Sequence, residues 1–165
     1  MKYALCLGAL VSAAPSVLFA QDANSGVRFE VSCADEAQAE FNRGVELLHS
    51  FEYPATTRIF TELLERYPGC EMARWGVAMS LWQPLWAPPS AEELEQGRRV
   101  LAGADMASAT PREVAYLEAA KAFFSSNDVN THIARAKAFE VAMADLHMTY
   151  LDDLKRPGFA GGSYL

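Results

Sequence analysis

The sequence predicts an all-α fold: about six helices after residue 34, paired as hairpins, stacked in a right-handed array and containing no sheet. Three observations carry this. The stretch from Phe41 to Trp82 resembles itself when shifted by about 34 positions, the period of a two-helix repeat. Phe41 then falls on Trp75, Gly44 on Ala78, Val45 on Met79, Leu47 on Leu81 and Leu48 on Trp82. Proline or glycine interrupts the apolar pattern at Pro54, at Pro68 and Gly69, and again through WQPLWAPPS. Two capping boxes, Ser90 with Glu93 and Thr110 with Glu113, announce helix starts. A hairpin of this kind cannot bury its apolar face alone, so it stacks on its neighbour and leaves a concave surface.

Taken in order, residues 1–20 read as a signal peptide. Lys2 gives a basic start, Ala4 to Phe19 is apolar but for Ser12, Pro15 and Ser16, and Ala20 offers a small-residue cleavage site. The segment is short for a bilayer span and carries a central proline. Cys6 leaves with it. Residues 21–34 form a polar, partly extended leader ending in VRFEVSC.

The first helix is expected from Asp35, as N-cap, to Phe51, with Phe41, Val45 and Leu48 on its apolar stripe. The second carries Ile59, Phe60, Leu63 and Leu64 and stops at Tyr67–Gly69. The third runs from Glu71 to Leu81 around Trp75, Val77 and Ala78. A Pro/Trp-rich insertion over 82–90 cannot continue that helix. The fourth helix follows Ser90 to about Leu101, and the fifth follows Thr110 with Val114, Leu117, Phe123 and Phe124. The sixth begins near Thr131, with Ile133, Phe139, Met143, Leu146 and Tyr150 along one side. The helical domain thus spans 35–153, and the glycine-rich tail over 154–165 is expected to be disordered.

The formal net charge of −7 disfavours nucleic acid and anionic membrane surfaces as partners. With 51% hydrophobic and 21% charged residues, the composition is that of a globular chain. After the signal peptide no apolar run is long enough to span a membrane, so the mature protein is expected in the periplasm or outside the cell.

Gly44, Tyr53, Phe60 and Pro68 sit at the relative spacing of a tetratricopeptide unit, with the large aromatic one residue late at both Phe41 and Trp75. The strings FNRGVELLHSFEY, CEMARWGVAMS, PLWAPP and ATPREVAYLEAA, spread over roughly 29–153, further resemble a group of secreted bacterial tetratricopeptide repeat proteins. The resemblance implies a tetratricopeptide-like fold and a secreted location, and brings no catalytic residue set. Members of that group continue with further helix pairs, so this chain is expected to be a shortened member.

Cys33 and Cys70 are the cysteines of the mature chain, placed just before the first and third helices. Those helices are neighbours with their starts at the same end, so the two thiols can approach. An oxidising compartment favours their pairing, and closing the loop would stabilise the fold by roughly 3–4 kcal/mol. First helices of each pair line the inner face, which places Phe41, Val45, Leu48 and His49 beside Met72, Trp75, Met79, Trp82 and Gln83 there. Such an aromatic and Met-rich lining suits a peptide groove. The competing expectation is that Phe41, Trp75 and Met79 only pack helix against helix. Trp82 and Trp86 flank a proline-rich turn, where they either face a ligand or staple the insertion to the third helix.

His49, His132 and His147 lack metal-ligand spacing, with His132 expected in the first turn of the sixth helix and His147 on its solvent flank. No nucleophile elbow, phosphate loop or CxxC motif occurs. The sequence therefore points to a non-enzymatic scaffold that holds a peptide or protein segment and needs no cofactor. The alternative is an envelope enzyme or a soft-metal accessory protein using His49 with Met72 or Met79. Because the sixth helix ends the stack, its stripe is expected to stay half exposed, giving either self-association through this end or dependence on a partner that docks there.

Overall fold

The computed structural model describes residues 27–150. The expected signal peptide, the start of the leader and the tail lie outside the described residues. Six α-helices follow one another: α1 (Asp35–His49), α2 (Tyr53–Arg66), α3 (Glu71–Ser80), α4 (Ala91–Ala102), α5 (Pro111–Phe123) and α6 (His132–Thr149), the last preceded by a 3-10 turn over Val129–Thr131. Among the described residues there is no strand, and a single antiparallel bridge between Gln83 and Ala87 folds the insertion into a turn. No helix of the described residues is long and apolar enough to cross a membrane.

Both expected capping boxes form. Ser90 Oγ accepts the Glu93 N–H at 3.2 Å while the Glu93 carboxylate accepts the Ser90 N–H at 2.8 Å, and Thr110 and Glu113 repeat this reciprocal pairing at the start of α5. α1 starts differently. Ala34 occupies the N-cap without a side-chain bond, and Asp35 stands in the first turn beside Glu36, where the helix dipole favours both charges.

The other end of α1 closes with two backbone bonds, Phe51 N–H to the Leu48 carbonyl and Glu52 N–H to the Leu47 carbonyl. This is the Schellman arrangement, whose reversing residue is usually glycine. Here it is Phe51, with φ 63°. A bulky side chain in that left-handed region costs about 1–2 kcal/mol.

Helices adjacent in sequence pack on one another, α1 on α2, α2 on α3, α3 on α4, α4 on α5 and α5 on α6, with α1 also touching α3 and α3 touching α5. Phe60 of α2 is the wedge of the first half. Its ring is fully buried between Gly44 of α1 and Gly76 of α3, where an added Cβ would come within 2.6 Å and 2.4 Å of it. Gly97 of α4 receives Phe124 in the same way, at 2.3 Å. Thr57 and Ser80 share a hydrogen bond of 2.7 Å between α2 and α3.

The second half is organised on Phe123. Trp82 lies parallel to it at 3.8 Å and meets Phe139 edge-on at 5.0 Å. Arg135 sits over the same ring, donating from Nη1 to the Phe123 carbonyl at 3.1 Å and from Nε to Thr131 Oγ1 at 3.1 Å. It thereby satisfies an orphan carbonyl at the end of α5, and burial pulls its pKa below the ordinary arginine value.

α6 corrects one expectation. Phe139 and Leu146 are buried and Met143 and Tyr150 partly so, which means that the stripe thought half exposed is mostly covered. Ile133 is not on it: 78% exposed, it points away. Six positions at about 100° each carry it roughly a third of a turn off the Phe139 line. Val141 and Met148 share its outer face.

Candidate functional site

Residues 27–32 form a strap across the face that α1, α3 and α5 share, and the chain bends at Ser32 and Cys33 before entering α1. Alternation governs it: Val27, Phe29 and Val31 turn inward while Arg28, Glu30 and Ser32 stay exposed, the period of two proper to an extended chain. Phe29 is the anchor. Its ring meets Phe41 of α1 at 5.7 Å, Trp75 of α3 at 5.8 Å and Tyr116 of α5 at 5.0 Å, and Trp75 and Tyr116 also touch each other edge-on at 5.9 Å. The Arg112 guanidinium covers the cage 5.0 Å from the Phe29 centroid.

Side chains of the helices bind the strap's backbone. Asn42 Oδ1 accepts the Phe29 N–H at 3.1 Å, and Gln38 Oε1 accepts the Val31 N–H at 3.1 Å. Gln38 Nε2 donates to the Phe29 carbonyl at 2.7 Å and to Asn42 Oδ1 at 3.0 Å, which fixes both amides in one orientation. Arg112 donates to the Glu30 carbonyl. At the far end Glu113 takes the Ser32 N–H at 2.6 Å and the Ser32 hydroxyl at 2.5 Å.

Glu113 does this while capping α5, so one buried carboxylate ties a helix start to the strap. Burial alone would raise its pKa. The hydrogen bonds from Ser32 and Thr110 outweigh that and hold the carboxyl below its ordinary value. Next along the chain, Cys33 and Cys70 are joined in the disulfide that the sequence predicted, with Cα atoms 4.7 Å apart. Their positions at the starts of α1 and α3 account for the approach.

The residues expected to face a ligand are distributed unevenly. Phe41 and Trp75, 34 residues apart in the repeat alignment, both line the Phe29 cage. Met79 and Met72 are buried in the core, as are Val45 and Leu48. Trp82, 8% exposed, is the staple between the insertion, α5 and α6. Its flat stacking on Phe123 takes it off the shared face. His49 ends α1 with part of its surface exposed, and the burial of the rest lowers its pKa.

Trp86 lies elsewhere, 61% exposed on the insertion, with Phe51 at 5.2 Å and Tyr53 at 5.9 Å. Among the described residues no three His, Cys, Asp or Glu side chains are grouped to share a metal ion. His132 opens α6 and His147 is exposed on it, as expected.

Sequence reasoning missed Phe29, Tyr116, Gln38, Asn42, Arg112 and Glu113 as parts of one assembly. The alternation of VRFEVS was the available signal for the strap. Glu113 was read correctly as a cap, and its second role depends on a residue far away in sequence. The chain matches no protein-family model, no curated protein and no solved structure.

Proposed function

We propose that this chain is an interaction scaffold of tetratricopeptide-like hairpins, acting outside the cytoplasm, that holds an extended peptide segment in the groove of α1, α3 and α5. One observation carries the reading: an extended segment already lies on that face, with its aromatic side chain caged and its backbone bound by helix side chains. Backbone bonds supply affinity without demanding sequence, while pockets for alternate side chains supply selectivity, the division of labour found where extended peptides are recognised.

The hairpin order and the contacts among the first helices support a repeat stack, and the Cys33–Cys70 disulfide suits an oxidising compartment. The chemistry offered by the face is binding chemistry: aromatic rings, two carboxamides, a guanidinium and a carboxylate already engaged by hydroxyls and amides. The test is a panel of immobilised extended peptides probed with purified full chain. Binding is expected for a subset with an aromatic residue flanked at two positions by aliphatic ones, and it should drop at least tenfold in Trp75→Ala. Equal capture by wild type and Trp75→Ala, or none of any peptide, would contradict the reading.

A further inference from the structure

We infer that the outward face of α6 is a self-complementary contact, through which two copies of this chain pair with their α6 helices antiparallel. α6 is apolar on both sides. Phe139 and Leu146 are buried on its inner side, while Ile133, Val141 and Met148 stand 78%, 60% and 67% exposed on the other. Among the described residues no other α-helix leaves a large hydrophobic side chain exposed. A helix with apolar residues all round is normally enclosed, so the outer face of α6 calls for a cover that the described helices do not provide.

The order of residues about Val141 says which cover fits. Ala138 stands three positions before it and Ala144 three after, Lys137 four before and Asp145 four after, and Ala134 and Met148 seven to either side. All are exposed. Seven residues are close to two helical turns, so Ala134, Val141 and Met148 follow one line along the helix. An antiparallel copy related by a two-fold axis at Val141 matches this spacing. Lys137 of each helix then comes level with Asp145 of the other, Ala138 with Ala144, and Ala134 with Met148. A parallel copy in register would set Lys137 against Lys137 and Asp145 against Asp145, so charge selects the antiparallel arrangement.

Lys137 pairs with Glu140 of its own helix at 2.9 Å, but the two side chains are 68% and 67% exposed, and such a pair holds the lysine weakly. The contact is one helix wide, so the dimer should have a dissociation constant on the order of 10–100 µM, as suits an area below that of a standard interface. The strap's bonds and ring contacts come from α1, α3 and α5, so pairing through α6 leaves that face free on both copies.

Sedimentation velocity of the full chain over a concentration series tests this. Wild type should pass from monomer to dimer as concentration rises. Val141→Glu puts like charges together at the axis and should weaken association about tenfold or more. Lys137→Asp should weaken it about fivefold, and adding Asp145→Lys, which exchanges the two charges, should restore it. Circular dichroism establishes that the helices are retained, and Met148→Glu replaces Val141→Glu if the latter does not fold. Wild type that stays monomeric throughout, or Val141→Glu that dimerises as wild type does, overturns the proposal. So does an exchanged pair that fails to recover association, since the antiparallel register then falls. A monomeric wild type that loses stability on Val141→Glu would identify the chain's own segment 151–165 as the cover and overturn the second copy.

Discussion

The rings of Phe29, Phe41, Trp75 and Tyr116 and those of Phe51, Tyr53 and Trp86 are built from the same residue types at similar spacings of about 5–6 Å. The first set is closed over by Arg112 and held beside Gln38, Asn42 and Glu113, which hydrogen-bond the chain that carries Phe29. The second sits at two loops, with Trp86 61% and Phe51 44% exposed and Phe51 on a left-handed backbone. Aromatic content alone does not separate them. What separates them is the polar framework around the cage, which fixes an extended partner in one register. An exposed cluster without such a framework adds contact area and little selectivity.

The comparison can be broken most forcefully at its two tryptophans. Trp75→Ala removes a buried ring from the cage and should cost about 3–5 kcal/mol, whereas Trp86→Ala should stay within about 1 kcal/mol. Chemical denaturation of both variants checks this, and similar losses would erase the distinction between the clusters. Next in size is the latch. Cys33→Ala with Cys70→Ala should lose roughly 3–4 kcal/mol. Denaturation under oxidising and reducing conditions should show that loss in wild type alone.

Glu113 sharpens the comparison through pH. Its folded-state pKa lies below the ordinary 4.5, so its contribution is fully present above that value and disappears as pH falls through the lowered one. At neutral pH, Glu113→Gln should cost about 2–3 kcal/mol, the weight of charge-assisted hydrogen bonds at a buried site. The gap between wild type and variant should narrow as pH falls below 4.5. Melting curves at a series of pH values measure it, and a gap independent of pH would remove Glu113 from the latch. The smallest effect belongs to the exposed cluster. Phe51→Gly relieves the left-handed backbone while losing ring contacts with Trp86 and Tyr53, so the two should nearly cancel, leaving a net change within about 1 kcal/mol.

Much of the framework was legible in the sequence because it depends on local rules. Ser90–Glu93 and Thr110–Glu113 announce helix starts within four residues, and the 34-residue alignment pairs Phe41 with Trp75, two walls of one cage. Tyr116, the third wall, was hidden because the 82–90 insertion breaks the period before the next repeat. The Schellman turn at Phe51 was equally hidden, since the residue that marks such a turn is absent. Ile133 was placed on the wrong side of α6 because a stripe of apolar residues was read without fixing its phase to Phe139. The strap's role could not be read locally at all. Ser32 and Glu113 meet across most of the described chain, and only the packed helices bring them together.

The 27–32 strap lies across the face of α1, α3 and α5 in the resting protein. Amide hydrogen exchange at Phe29, Val31 and Ser32 tests this most directly, because those three N–H groups donate to Asn42, Gln38 and Glu113. All three should be protected relative to an unstructured peptide, since each is held by a side-chain acceptor. Exchange of the three at the rate of a free peptide would contradict it.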